Sequence, residues 1–213
     1  MKFILPFLAF LLIFSSCKKE DINSAGSSTQ LGYFQSQPGT YWIYEWYSID
    51  SNNVESSLGI VDSVFISGDT IIDGEIYAVY NGGFHGNLSP ESYKRDSSGY
   101  IVEPSGNILY SYVSFSDTLN TYSEPGFWDT YSYMTKTPNI TTVPAGVFST
   151  IKYETLYYDP AGGAINNCGD LTFVMGSSYS STVGEVKTRT GYFGEIQTLC
   201  KFRERRLTSY YIP

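Results

Sequence analysis

The chain opens on an almost unbroken apolar run, Phe3 to Phe14, behind Met1 and Lys2, and turns abruptly polar at Ser15 and Ser16. About twelve apolar residues at 1.5 Å each span roughly 18 Å, short of the ~30 Å that a membrane-crossing helix must cover. Residues 1–16 therefore read as a secretory signal peptide, not a permanent span. Beyond residue 32 the pattern changes period. Ile151, Tyr153 and Tyr157 alternate with Thr150, Lys152 and Glu154. Gly194, Ile196, Thr198, Cys200 and Phe202 alternate with Glu195, Gln197, Lys201 and Arg203, broken by Leu199. Period two predicts half-buried strands. Trp42, Tyr44 and Trp46 share one face of a first strand, yet Tyr41, Ile43 and Tyr47 share the other. That strand is buried on both sides or shows one aromatic face to a ligand.

Turn signals punctuate the chain at short intervals: Asp50-Ser51-Asn52-Asn53, Ser67-Gly68-Asp69, Asp73-Gly74, Asn81-Gly82-Gly83, Asp96-Ser97-Ser98-Gly99, Pro104-Ser105-Gly106-Asn107, Pro144-Ala145-Gly146 and Pro160-Ala161-Gly162-Gly163. Strand-length runs lie between them and helical periodicity is absent, which predicts a hairpin-built antiparallel sheet. Residues 116–146 are the least regular, with Pro125, Pro138 and Pro144; a long loop or a pair of edge strands is expected there. Twenty Tyr and thirteen Phe push the composition further toward β structure. The fold class expected is all-β: a single curved antiparallel sheet or open half-barrel over residues 33–213, behind a signal peptide (1–16) and a lipidated cysteine with a flexible tether (17–32).

Phe14-Ser15-Ser16-Cys17 resembles the bacterial lipobox, with Phe14 where an aliphatic residue is usual. Lys18-Lys19-Glu20-Asp21 and a Ser/Gly-rich run to Gln30 follow it. The resemblance implies cleavage before Cys17 and lipid on its sulfur, palmitate among the acyl chains. Each buried methylene contributes about 0.8 kcal/mol, so several chains hold a protein on a bilayer. The charged tetrapeptide resembles the signals that send some lipoproteins to the outer face of the outer membrane. Pro38-Gly39-Thr40-Tyr41-Trp42-Ile43-Tyr44, Val143-Pro144-Ala145-Gly146-Val147-Phe148, Val183-Gly184-Glu185-Val186 and the closing Leu207-Thr208-Ser209-Tyr210 together resemble a group of uncharacterised Gram-negative envelope lipoproteins. That resemblance implies a strongly curved sheet and no catalytic residues.

Removing 16 of 213 residues leaves 197, enough for one domain with its own core. The formal charge of −8 excludes nucleic acid as the expected partner. Lys201, Arg203, Arg205 and Arg206 form a basic cluster that reads as a solvated strand face. Cys168 and Cys200 remain after Cys17 is lipidated. They are disulfide candidates in an oxidising compartment, with a closed loop of about 33 residues that would contribute roughly 3–4 kcal/mol; Cys200 as a buried free thiol is the other reading.

Candidate chemistry is sparse. One histidine, His85, sits in a Gly-rich loop with no serine elbow, so neither a hydrolytic triad nor a zinc site is expected. Asp117, Glu124 and Asp129 are the carboxylates a glycan hydrolase would use, and Asp50 to Glu55 reads as a turn, lacking calcium-loop spacing. No cofactor, metal or catalytic residue is assigned. The expected function is non-enzymatic: a lipid-anchored envelope protein that binds a protein partner or small apolar ligand. The alternative is a carbohydrate-binding accessory lipoprotein using Phe127, Trp128, Tyr131 and Tyr133, with Tyr122 nearby, because flat rings in an irregular stretch can stack on sugars.

Overall fold

The computed structural model describes residues 32–83, 91–160, 174–191 and 201–213. Cys17, His85, Cys168, Cys200 and the stretch 194–199 lie outside them. The chain divides after Gln30, and the second unit, Leu31–Pro213, carries every described strand.

Twelve strands follow one another: β1 (Tyr41–Ile49), β2 (Glu55–Ile72), β3 (Glu75–Gly82), β4 (Glu91–Ser97), β5 (Tyr100–Val102), β6 (Ile108–Ser111), β7 (Thr118–Glu124), β8 (Trp128–Val143), β9 (Gly146–Tyr158), β10 (Val174–Ser180), β11 (Gly184–Gly191) and β12 (Phe202–Tyr211). They form one antiparallel sheet in the order β6-β5-β4-β3-β2-β1-β12-β11-β10-β9-β8-β7. Each strand pairs with its neighbour in sequence except at one joint and one gap. The joint is β1 on β12; the gap lies between β6 and β7. The sheet curls until it is almost a closed barrel, an all-β fold built from hairpins.

Turn chemistry sets the hairpins. Asp73 and Gly74 both have positive φ (52° and 83°), as do Ser98 and Gly99 (56° and 91°), the backbone that a two-residue type I′ turn demands. Asp50 Oδ1 accepts the backbone N–H groups of Asn52 and Val54, each at 2.9 Å, which closes the β1–β2 turn. One expectation changes and one open choice is decided. Ser67-Gly68-Asp69 does not turn: β2 runs through it with a register shift between Ile66 and Gly68, because the spare residue is absorbed as a bulge. The irregular stretch 116–146 is the pair of strands β7 and β8 joined at Pro125–Phe127. The pairing of β8 with β9 shifts register between Thr135 and Asn139.

Among the described residues two large apolar clusters make up most of the core, beside a small one of Ile49, Met175 and Phe202. One joins Trp42, Tyr44, Ile66, Tyr80, Val186 and Leu207 among others. The second brings Ile101 and Tyr110 from β5 and β6 against Leu119, Met134, Ile151 and Tyr179 from β7 to β10, so burial across the barrel draws the two sheet edges together. Asn120 on β7 then bridges the gap: its amide donates to the Ile108 carbonyl of β6 and to Tyr153 Oη of β9 at 3.4 Å. The segment Tyr33–Gln35 lies between the clusters. Phe34 packs on both, while the carbonyls of Tyr33 and Gln35 accept the hydroxyls of Tyr110 and Tyr80.

Candidate functional site

A cavity of about 240 Å³ lies inside the barrel. Its aromatic wall comes from the inward face of β1 and its neighbours. Trp42 and Tyr80 stack with centroids 5.9 Å apart and planes 7° from parallel, and Tyr110 stacks on Tyr179 at 3.8 Å. Trp42 Nε1 donates to the Val183 carbonyl at 2.7 Å, and the Tyr44 hydroxyl to the Glu185 carbonyl at 3.0 Å. These bonds satisfy the polar ends of rings that are otherwise buried. Burial pushes the hydroxyls of Tyr44, Tyr80, Tyr110 and Tyr179 well above their ordinary pKa, so all four stay neutral.

The polar wall is made by β4, β11 and β12. In β11 the pairing with β10 shifts register between Ser178 and Tyr179, so that Tyr179 pairs with Glu185 while Ser178 pairs with Lys187. That bulge turns Glu185 and Thr188, three residues apart, toward the same cavity. Thr188 Oγ1 donates to Glu185 Oε1 at 2.7 Å. Arg205 Nη2 lies 2.6 Å from the same oxygen and Nη1 lies 3.9 Å from Asp62, while the guanidinium sits 4.0 Å above the Tyr44 ring. Burial would push the Glu185 carboxyl up; the Arg205 charge, with the Thr188 bond and the Lys94 charge, overrides it and holds the carboxyl below its usual range. The Glu185 side chain keeps 23% of its surface exposed, so the cavity communicates with solvent.

Lys94 faces this pair from β4. Ala78 of β3 is its ladder partner, and its ammonium lies 4.5 Å from the centroid of the Tyr80 ring. Among the described residues no carboxylate lies within ion-pair distance of it. Burial lowers its pKa, with Glu185 acting in the opposite direction.

The cluster expected to be a solvated basic face divides. Lys201 is exposed, but Arg205 is buried in the cavity wall. Its strand turns that position inward opposite Trp46, and Glu185 and Asp62 supply the charges that make burial tolerable. Arg206, on the opposite face of β12, pairs with Glu204 and Glu55.

The candidate aromatic platform is also divided by the strand pleat. Trp128 shares a face of β8 with buried Thr130, Ser132 and Met134, whereas Tyr131 and Tyr133 point the other way. Phe127 is exposed in the turn. Its neighbouring rings meet edge-on: Phe127 to Trp128 at 63°, Trp128 to Tyr157 at 66° and Tyr131 to Tyr158 at 88°. No coplanar strip joins the four. Of the candidate carboxylates, Asp117 accepts from Ser114 at 2.5 Å, Asp129 from Ser123 at 2.5 Å, and Glu124 from the Tyr122 hydroxyl.

Sequence reasoning named Trp42, Tyr44, Gly184 and Glu185 as parts of architectural motifs, and all four line the cavity. Lys94 carried no signal: Glu91-Ser92-Tyr93-Lys94-Arg95 reads as an ordinary polar edge strand. Only its pairing with Ala78 shows that it faces inward.

The chain is similar to two solved structures. One, a protein assigned as exported and having a YmcC-like fold, from Bacteroides fragilis, is 13% identical over 84% of this chain and 98% of that chain, with a TM-score of 0.42. The other, assigned as a lipoprotein of Parabacteroides distasonis, is 14% identical over the same shares, with a TM-score of 0.41. No family model matches the chain, and no curated protein matches it.

Proposed function

We propose that the chain is an exported, lipid-anchored protein of the cell envelope, placed at the outer membrane, which binds a small molecule inside its barrel and catalyses no reaction. The observation that carries the binding role is the solvent-connected cavity, lined on one side by stacked rings and on the other by Lys94, Glu185 and Arg205. Apolar walls with a few fixed polar groups are the usual make-up of a small-molecule site. This replaces a purely apolar ligand by one with a polar end.

The state of the polar groups supports holding over proton transfer. An acid or base works best with a pKa near the operating pH, yet the tyrosines are pushed up and Glu185 down. Lys94 alone moves the other way, and no proton acceptor is bonded to it among the described residues. The anchor rests on the apolar opening and the Ser15-Ser16-Cys17 junction.

Both halves are testable with the full chain. Expressed in a Gram-negative host, it should sediment with membranes, and Cys17→Ala should release it to the soluble fraction; equal release of both forms would remove the anchor. A thermal-shift screen of small molecules should find compounds that raise the melting temperature of the parent but not of Thr188→Phe, which fills the cavity. A screen that raises neither counts against the binding role.

A further inference from the structure

The cavity holds two cations in very different states. Arg205 is neutralised by Glu185 at 2.6 Å and approached by Asp62 at 3.9 Å, whereas half-buried Lys94 has, among the described residues, the face of Tyr80 at 4.5 Å and no carboxylate within ion-pair distance. A ring face gives a cation about 0.5–2 kcal/mol, far less than removing an ammonium from water costs. The chain has 21 acidic residues against 13 basic ones, so carboxylates are not scarce. On the outer face Lys187, Arg189 and Arg206 all converge on Glu204. Among the described residues Lys94 is left without such a partner, at a place where a partner would fill the cavity.

We infer that the barrel takes a small organic carboxylate, its anionic end on Lys94 Nζ and its apolar body against the rings of Trp42, Tyr80 and Tyr110. The protein omits its own counter-ion so that the ligand supplies it. Glu185 sets the second half of the selectivity. Its Oε1 is occupied by Thr188 and Arg205, and with the Arg205 charge already spent on it the far wall offers no free cation to a second anionic group. A monoanion is therefore favoured over a dianion, and a hydroxyl or other donor on the ligand's far end would meet a carboxylate ready to accept it. The size of the cavity limits the ligand to a single ring or a short chain.

This rests on the cavity reading above, and the test separates the two. The full chain, purified in detergent, is titrated with benzoate and with benzamide, its neutral isostere, following tryptophan fluorescence because Trp42 lies in the wall. Benzoate should bind at least about tenfold more tightly than benzamide, since a charge-assisted bond is worth about twice a neutral one. Lys94→Met should remove that preference, and Lys94→Arg should keep it. Phthalate, a dianion of the same ring, should bind more weakly than benzoate. Equal binding of benzoate and benzamide, or benzoate affinity unchanged in Lys94→Met with its thermal unfolding intact, overturns the carboxylate assignment but leaves the cavity reading standing. Binding of neither probe overturns both.

Discussion

Glu204 tests the electrostatics of the outer face, independently of any ligand. Its side chain is fully buried, yet Arg206 lies 2.6 Å away, Arg189 2.7 Å and Lys187 3.4 Å. Burial alone would push the carboxyl up; the charges of Lys187 and Arg189 and the hydrogen bonds from Arg206 and Arg189 outweigh it and pull the carboxyl down. Lys187 is itself pushed down by burial despite its neighbour. Glu204→Gln keeps the shape and removes the charge, leaving three cations converging on a neutral amide. Removing one partner of a buried pair costs about 3–5 kcal/mol. The three cations keep 14–29% of their side-chain surface in solvent, which reduces this to about 2–3 kcal/mol. Thermal unfolding at pH 7 should then show a midpoint lower by about 4–12 °C. The pH dependence fixes the sign. A carboxylate whose folded pKa is depressed contributes stability that is fully present above its unfolded value, about 4.3, and is lost as pH falls through the folded one. The gap between parent and Glu204→Gln should therefore narrow as the pH falls below the unfolded value. A variant within about 0.5 kcal/mol of the parent at pH 7, or a gap unchanged at low pH, would refute the reasoning.

Two further predictions concern the sheet itself. Gly176 has φ of 154°, and a Cβ there would sit 1.9 Å from the Tyr153 carbonyl oxygen of the paired strand, so Gly176→Ala should cost at least about 2 kcal/mol. A chemical-denaturation midpoint that matches the parent would show that β9 and β10 can separate there without penalty. Asn120→Ala removes the side-chain bridge from β7 to β6, and hydrogen exchange should speed up in those two edge strands while β1 and β12 stay protected. Uniform acceleration would mean that Asn120 supports the whole barrel, not its seam.

The period-two pattern and the turn dipeptides were enough to read an all-β hairpin architecture, because both act over a few residues. Asp73-Gly74 and Ser98-Gly99 supply positive φ locally, and the inward Trp42, Tyr44 and Trp46 follow from the alternation of the first strand. Ser67-Gly68-Asp69 misled because a turn and a bulge use the same residue types; which one forms depends on whether the partner strand continues alongside. Trp128 and Tyr131 stand together on paper, yet an odd spacing along a strand sends them to opposite faces.

What the sequence determines by itself is the apolar opening, the cysteine behind it, the antiparallel class and the strands most of whose apolar residues face inward, since these rest on composition and nearest-neighbour geometry. Lys94, Glu185 and Arg205 come from β4, β11 and β12, separated by about ninety residues at the first step. They meet only because β1 pairs with β12 and the sheet curls back on itself. The bulge in β11 then turns Glu185 inward, and burial changes an unremarkable lysine into a cation in need of a partner. Charge and burial are properties of that assembled interior, and no local pattern in the chain encodes them.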